Sequence, residues 1–244
     1  MAQYIYGKNV VLERLKSGSK IEEIYFVEDI KDKKFLDKIN PLLKKEPTII
    51  SRSKASKLVG DRALHQGVIA KVGDYNFSNY DNIIKKIENK ENALVLMLDG
   101  VEDPHNLGAI LRTSDAIGVD AIIVGKHGSA PLSETVVKVS TGAIEYVPVI
   151  EVVNLNNTLN DLKKRGFWVV GAEAENAMDY RELKYDMKTV LVVGSEGFGI
   201  SKLVLKNCDY KVKLPMIGHV NSLNVSVATA ILLYNIHAQR NPIK

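Results

Sequence analysis

The 244-residue sequence predicts an α/β protein built around a mostly parallel sheet with helices on both faces. Apolar, strand-like runs recur after residue 92 and alternate with helical segments, which is the pattern of parallel strands joined by helices. The chain before that point differs, because residues 1–75 carry 15 lysines and arginines against 10 acidic residues. We therefore predict a small N-terminal α/β domain (1–75), a polar linker (76–92) and a larger domain (93–244).

Composition narrows the class of protein. A hydrophobic content of 45% is ordinary for a globular domain, and no apolar run reaches the length of a membrane span. The first ten residues, MAQYIYGKNV, lack the apolar core of a signal peptide. The single cysteine, Cys208, can form neither an intramolecular disulfide nor a cysteine-based zinc site. We expect a cytoplasmic protein with no metal and no membrane partner.

The basic N-terminal third shows helical and extended patterns in turn. Its predicted elements are a helix over 9–16, a strand over 22–27, a helix over 32–45 ended by Pro47, a strand over 48–50, a helix over 54–59 and a strand over 67–72. The excess of positive charge suits a domain that meets a polyanion, although a solvated basic surface would give the same count. The linker that follows is polar and charged, and we expect one short helix in it.

The larger domain contains six strand-like runs with helical segments between them. The strands are predicted at 94–98, 121–124, 146–149, 167–170, 190–193 and 210–214, and the helices at 107–117, 134–140, 155–165, 201–206 and 223–239. Ligands of such sheets bind outside the carboxyl ends of the strands. Three unusual stretches begin where strands end, at Asp99, Gly194 and Leu214. We therefore expect these stretches to form one site.

The first of the three to suggest a ligand is the glycine-rich loop VVGSEGFGIS, residues 192–201. Its glycines have the spacing of a phosphate-binding P-loop, but Ile200 stands where that motif needs lysine. A dinucleotide fingerprint also fails, because no third glycine follows Gly197 and Gly199. Glu196 would also repel a phosphate, so this loop suits a ligand that has no phosphate and carries positive charge.

The stretch DPHNLGAILRTSDAIG, residues 103–118, places polar side chains at a predicted helix. Asn106 can cap a helix that starts at Leu107, and Arg112 lies near the middle of that helix. An arginine in that position is usually a solvated or salt-bridged surface residue. Its guanidinium can also fork onto phosphate oxygens, so a substrate-facing role is the alternative. His105 lies next to Asn106, and we assign it no role in the site.

The last of the three unusual stretches is KLPMIGHVNSLNVSVATAILLYNIHAQ, residues 213–239. Pro215 stops a strand, Gly218 allows a tight turn, and Asn221 or Ser222 reads as the cap of a long apolar helix. A capped core helix is the simpler interpretation of any single serine or asparagine here. A proline–glycine turn that leads into a polar helix start is much less common.

Taken in order, these stretches resemble the three motifs of the SpoU-type, or TrmH-type, RNA 2′-O-ribose methyltransferases. The likeness extends over residues 93–240, and the N-terminal part is more loosely similar to the substrate-binding domain of the family's ribosomal-RNA branch. The resemblance implies a SPOUT-type trefoil knot at the C-terminus, a homodimer, S-adenosylmethionine as methyl donor and structured RNA as substrate. A guanosine of 23S ribosomal RNA is the implied target, with transfer RNA as the alternative.

The resemblance also implies roles for individual residues, carried over by position. The catalytic set consists of Asn106, Arg112, Glu196, Ser222 and Asn224. The cofactor-binding set consists of Gly194, Leu214 and Leu223, to which Met216 and Ile217 add backbone contacts. The family's arginine is often proposed as the base, but neutralising an ordinary arginine at pH 7 costs roughly 8 kcal/mol. We therefore interpret Arg112 as a phosphate anchor and oxyanion stabiliser.

Two other functions stay open from the sequence. One is a catalytically silent RNA-binding protein of the same fold, against which the intact polar set argues. The other is a phosphate-binding α/β enzyme, which the missing lysine and the presence of Glu196 count against.

Overall fold

The computed structural model describes residues 3–242 and contains two separate sheets. The strands of the smaller sheet are β1 (Gln3–Tyr6), β2 (Glu23–Val27), β3 (Thr48–Ile50) and β4 (Val68–Val72). They lie in the order β1-β4-β2-β3, and β2 pairs in parallel with β3 and antiparallel with β4. The helices packed with this sheet are α1 (Lys8–Lys16), α2 (Lys33–Ile39) and α3 (Arg52–Val59).

The larger sheet has seven strands, and all of its pairings are parallel. Its strands are β5 (Leu94–Asp99), β6 (Ala121–Gly125), β7 (Val149–Val152), β8 (Trp168–Ala172), β9 (Met178–Asp179), β10 (Thr189–Gly194) and β11 (Tyr210–Lys213). Their spatial order is β7-β6-β5-β10-β8-β11-β9. The predicted α/β class is therefore confirmed. No strand of this sheet runs against the others.

Helices cover both faces of the larger sheet. They are α4 (Tyr80–Ile87), α5 (Pro104–Ile117), α6 (Glu134–Val139), α7 (Leu155–Lys164), α8 (Lys202–Lys206) and α9 (Val225–Arg240). Apolar side chains of α5, α6 and α9 form one buried cluster with the sheet. Side chains of α4, α7 and α8 form the other. Continuous apolar strands such as LVLMLD in β5 are what a sheet buried on both sides requires.

Two element predictions were wrong, and both errors have a local cause. The predicted strand at 146–149 is instead a 3₁₀ turn at Ala143–Glu145 followed by β7. Thr141 and Gly142 adopt positive φ just before that turn, which delays the strand. The predicted helix at 32–45 ends at Ile39 and continues as a short 3₁₀ turn, because the Pro41 ring cannot extend an α-helix. Strands β1 and β9 were not predicted.

The predicted linker contains the expected short helix, α4, and this helix is packed rather than free. Ile84 and Ile87 are buried in the cluster that α7 and α8 form with one face of the larger sheet. Tyr80 donates a hydrogen bond to Asp161 Oδ2 of α7 at 2.7 Å. The boundaries 1–75, 76–92 and 93–244 stay a prediction.

A buried charge cluster, here called the Glu145 junction, joins the two sheets. The side chain of Glu145 is only 3% exposed and accepts hydrogen bonds from Arg14 Nη1 at 3.0 Å and from Tyr75 at 2.6 Å. Ser17 also donates to Glu145 Oε2. Val137 of α6 is buried within the apolar cluster of the small sheet. Charge pairing and apolar packing therefore both hold the N-terminal unit against the larger one.

Within residues 3–242, no helix is long and apolar enough to cross a membrane. No group of three histidine, cysteine or acidic side chains in that part of the chain could hold a metal ion. The trefoil knot implied by the resemblance stays a prediction.

Candidate active site

The three stretches singled out in the sequence meet at one edge of the larger sheet. Strands β5 and β10 are neighbours, and Gly194 lies opposite Asp99 in the register of the pair. Strand β11 ends at Lys213 on the same side, because it is parallel to β8, the other neighbour of β10. The prediction that the stretches follow the carboxyl ends of strands is confirmed.

A tight turn follows β10. Ser195 and Gly199 exchange two backbone hydrogen bonds of 3.1 and 3.0 Å, so that Glu196, Gly197 and Phe198 form the tip. Gly197 and Gly199 have φ values of 92° and 65°, which glycine adopts without strain. A Cβ on Gly194 would lie 2.0 Å from the carbonyl carbon of Gly199. The turn can therefore fold back over the strand end only because residue 194 has no side chain.

Side chains from the three stretches form a hydrogen-bonded polar triangle, Asn106, Glu196 and Asn224. Asn224 Nδ2 donates to Glu196 Oε1 at 2.7 Å and to Asn106 Oδ1 at 2.9 Å. Asn106 Nδ2 donates to Glu196 Oε1 at 3.2 Å. The backbone N–H of Val225 also donates to Glu196 Oε1 at 3.2 Å. One carboxylate oxygen thus gathers three donors, which fixes the orientation of all three side chains.

The cap of α9 is Asn224, and the predicted cap at Asn221 or Ser222 was wrong. Asn224 Oδ1 accepts hydrogen bonds from the backbone N–H groups of Ser226 and Val227, as an N-cap does. The turn therefore extends two to three residues further than expected before the helix begins. Since Oδ1 is occupied by the helix start, Nδ2 is the part of the amide that meets Glu196.

The start of α5 also differs from the prediction. Asp103 is its N-cap, accepting a hydrogen bond from His105 N at 2.9 Å, and Pro104 occupies the first turn. Asn106 therefore lies inside the helix and does not cap it. Asn106 as a whole residue is 8% exposed, and its side chain is available to join the polar triangle.

A cavity of about 740 Å³ opens beside the triangle. Strand ends and the two loops that follow β10 and β11 form its wall. Six of the residues predicted for the site line it: Gly194, Leu214, Met216, Leu223, Glu196 and Ser222. Sequence reasoning missed the contribution of Ala172, the last residue of β8, and of Glu173 and Ala174, which follow it. The rule that ligands bind at carboxyl strand ends could have found them, since the β8 run was itself predicted.

The other four predicted site residues do not line the cavity. Asn106 and Asn224 contact the cavity residue Glu196 without lining the cavity themselves. Arg112 is exposed on α5 and, within residues 3–242, forms no hydrogen bond or ion pair with another side chain. Ile217 has a fully exposed side chain, which leaves only its backbone for a ligand. The roles of all these residues stay predictions.

The lining of the cavity fits a cationic nucleoside better than a phosphate. Its carboxylates are Glu173 and Glu196, and Lys213 is the cation that lines it in the described part of the chain. Aliphatic side chains from β10, β11 and α9 supply an apolar wall, among them Val193, Val212 and Leu232. An adenosyl group with a sulfonium fits this lining. The phosphates of a nucleoside triphosphate would be repelled by the two carboxylates.

Cys208 takes no part in this chemistry. It packs behind the wall, where a Cβ on Gly171 would approach its sulfur to 2.7 Å. Burial raises the pKa of the Cys208 thiol to about 11, so the thiol stays protonated at neutral pH and is a poor nucleophile.

Two family models match the chain in separate ranges. The model of the SpoU rRNA Methylase family matches residues 93–234. A model described as RNA 2′-O ribose methyltransferase substrate binding matches residues 4–78.

Individual relatives agree with these matches. A Staphylococcus aureus protein named for the TrmH family of tRNA/rRNA methyltransferases is 47% identical over 98% of this chain and 97% of its own. The SpoU methyltransferase AviRb from Streptomyces viridochromogenes, solved with AdoMet, is 22% identical, with a TM-score of 0.82 over 98% of this chain and 90% of its own. An Aquifex aeolicus TrmH/SpoU tRNA modifying enzyme is 34% identical, with a TM-score of 0.56 over 66% of this chain and 83% of its own.

Proposed function

Because the chain belongs to the SpoU rRNA Methylase family, an S-adenosylmethionine-dependent family of RNA 2′-O-ribose methyltransferases, we propose that its target is a guanosine of 23S ribosomal RNA. The polar triangle beside the cavity is the observation that carries a catalytic role. Three side chains from distant parts of the chain are hydrogen-bonded to one another at 2.7–3.2 Å there. A catalytically silent RNA-binding protein would have no need of such a network.

We propose that Gly194, Leu214 and Leu223 hold the adenosyl group, with backbone groups of Met216 and Ile217. Four of these five residues line the cavity, and Gly194 is the position where the backbone of the turn comes closest to the strand end. When bound, S-adenosylmethionine supplies an electrophilic methyl group on a sulfonium. Glu196 lies on the cavity wall, where its negative charge suits that sulfonium.

Arg112 is proposed to clamp the RNA. Its guanidinium is exposed, and α5, which carries it, also carries Asn106 of the polar triangle. A planar guanidinium can fork onto phosphate oxygens and can stabilise the negative charge that develops on a 2′-oxygen as its proton leaves. Ser222 lines the cavity and is proposed to orient the ribose.

The polar triangle is proposed to set the geometry of the reaction. Glu196 Oε1 already accepts three hydrogen bonds, so the carboxylate keeps one orientation without a ligand. Groups held in advance near the productive geometry are what make a site efficient, because no reorganisation is needed when charge develops.

Ribosomal RNA is favoured over transfer RNA by the N-terminal unit. The substrate-binding model matches residues 4–78. The solved tRNA-modifying relative aligns with only 66% of this chain, and a second solved protein, described by its methylation of C/U34 on tRNA, covers 62%. The N-terminal unit is the part of this chain that carries the excess positive charge.

We further propose that the protein is a cytoplasmic homodimer. Val227, Ile231 and Tyr234 leave an apolar stripe exposed along α9. Such a stripe on a long helix is suited to a second copy of the chain. Sedimentation velocity should give twice the mass of one chain, and a monomer at micromolar concentration would contradict the proposal.

Mass mapping of methylated nucleotides tests the target directly. RNA from cells lacking the gene should have lost one 2′-O-methylguanosine in 23S ribosomal RNA, and expression of the gene should restore it. Loss of a methyl group from transfer RNA instead would assign the alternative target. Calorimetry with S-adenosylmethionine separates an enzyme from a silent RNA-binding protein, and thermal shift with ATP and NAD tests the phosphate-binding alternative.

A further inference from the structure

Phe198 is an aromatic ring held out at the mouth of the cavity. It is 95% exposed, although it lies at the tip of the turn between Ser195 and Gly199 and lines the cavity. Among the described residues that line this cavity, it is the one aromatic side chain. A ligand that covers this ring would remove apolar surface from water, which is favourable.

The turn holds this ring close to the polar triangle. Glu196, two residues earlier on the same three-residue tip, is fixed by three hydrogen bonds. The base of the turn is closed by the two backbone hydrogen bonds between Ser195 and Gly199. The position of Phe198 is therefore tied to groups that the proposed function assigns to the reaction.

We propose that Phe198 is a stacking platform for an unstacked nucleobase of the substrate RNA, an inference that rests on the proposed methyltransferase function. Enzymes and binding modules that read single-stranded RNA stack splayed bases on aromatic side chains. A ribose 2′-hydroxyl that enters this cavity brings its base or a neighbouring base to the mouth. Phe198 would thereby select an accessible nucleotide over one inside a stacked helix.

The same ring could instead stack on the adenine of the cofactor, so the source of the purine must be tested. Two observations favour the RNA. The side chain is almost wholly exposed, which places it at the mouth of the cavity and not in the apolar wall. Met216 and Ile217, on the other loop at the mouth, are also exposed, so an incoming ligand from solvent meets apolar groups on both loops.

The first experiment compares Phe198→Ala, Phe198→Leu and Phe198→Tyr in methyl transfer to total RNA from cells lacking the gene. Phe198→Ala should raise the KM for RNA by about 5- to 100-fold, the range found when a stacking aromatic is replaced by alanine. Phe198→Tyr should restore the KM, and Phe198→Leu should not, because it keeps apolar bulk without a π-face. A KM that follows bulk alone would overturn the stacking role.

The second experiment assigns the source of the purine. The affinity of Phe198→Ala for S-adenosylmethionine, measured by calorimetry, should change less than about twofold. A loss of the size given above for RNA would place the ring on the cofactor and overturn the inference. Leu203→Ala is the matched control, since Leu203 is exposed on α8 outside the cavity and its loss should change neither constant.

A tryptophan reporter observes the stack itself. Trp168 is the chain's single tryptophan, so Phe198→Trp in a Trp168→Phe background places one indole at the mouth. Oligoadenylate should quench its fluorescence, and an abasic oligomer of equal length should not. Equal quenching by both, or a change of Phe198→Ala from dimer to monomer in sedimentation, would overturn the stacking role. Absence of methyl transfer by the unsubstituted protein would instead reject the proposed function.

Discussion

Gly194 illustrates how a single residue can serve the fold and the site together. Its missing side chain admits the backbone of Gly199 to 2.0 Å from where a Cβ would lie. Any substitution must therefore push the turn outward and carry Glu196 with it. Loss of activity in a Gly194 variant would report on the turn, and it could not by itself identify a cofactor contact.

Arg112→Lys distinguishes a clamp from a base. Lysine keeps the charge but loses the planar fork, and its pKa near 10.4 makes deprotonation easier by about 3–5 kcal/mol than for arginine. We expect single-turnover methyl transfer at saturating RNA to fall about 10²–10³-fold, as on loss of one oxyanion donor. Cofactor affinity should stay the same, because Arg112 does not line the cavity. Near-normal rates that rise at alkaline pH would identify Arg112 as the base.

Leu223→Arg tests the cofactor slot. Leu223 lines the cavity just before the start of α9, so an arginine there introduces a charge that repels a sulfonium. Calorimetry should show no binding of S-adenosylmethionine, whereas circular dichroism should show an intact helix because the cap, Asn224, is unchanged. Unchanged affinity would remove Leu223 from the site.

At the scale of elements, Arg240 fastens the end of α9 to the starts of two strands. Its guanidinium donates to the carbonyl oxygens of Asn92, Tyr185 and Met187 and to Thr189 Oγ1, at 2.7–3.0 Å. Burial lowers the pKa of this arginine, and the negative charge of Asp120 opposes that shift only in part. The helix that carries the site at its first turn is thereby anchored at its last.

Replacement of Arg240 by methionine should therefore destabilise the protein. Four acceptors lose their donor at once, for which we expect a loss of about 2–4 kcal/mol in the free energy of unfolding. Urea denaturation measures it, and Lys206→Met, which removes an exposed lysine of α8, is the control. A difference of less than about 0.5 kcal/mol between the two variants would contradict an anchoring role for Arg240.

Strands and helices could be predicted where the apolar pattern determines them. They were harder to predict where local turns determine where an element begins or ends. The apolar runs of β5, β6 and β10 need burial on both faces, so they stand out in the sequence. The two-residue β9 carries no periodic signal and exists because it pairs with β11.

The site shows the same division. Glycine and strand-end positions located the cavity, since close backbone approach and sheet topology follow from the sequence pattern. The N-caps of α5 and α9 could not be predicted from the sequence, because several neighbouring residues can cap a helix: Asp103, Asn106, Asn221, Ser222 and Asn224. Only the tertiary partner Glu196 decides that Asn106 and Asn224 turn toward each other.

At the scale of the molecule, the fragment 76–244 tests the division into two units. It contains the whole larger sheet and all three motifs, so it should fold and bind S-adenosylmethionine. Its melting temperature should fall, because Glu145 loses Arg14 and Tyr75, and Val137 loses its apolar cover.

The fragment should bind RNA more weakly and with a shallower dependence on salt, since the basic third is gone. Filter binding across a salt series measures both quantities, with the full-length chain as the control. Full RNA affinity in the fragment would show that the N-terminal unit is not the RNA-binding part.

The strand order of the larger sheet also dictates when the proposed catalytic site can form during synthesis. β10 lies between β5 and β8, so the middle of the sheet stays open until residue 194 has left the ribosome. Asn224 follows later still, whereas β1 to β4 are complete by residue 72. Pairings so distant in sequence form slowly, and N-terminal units fold first. A nascent chain thus acquires its basic unit early and its polar triangle nearly last, so a chain that stops before Asn224 lacks the triangle.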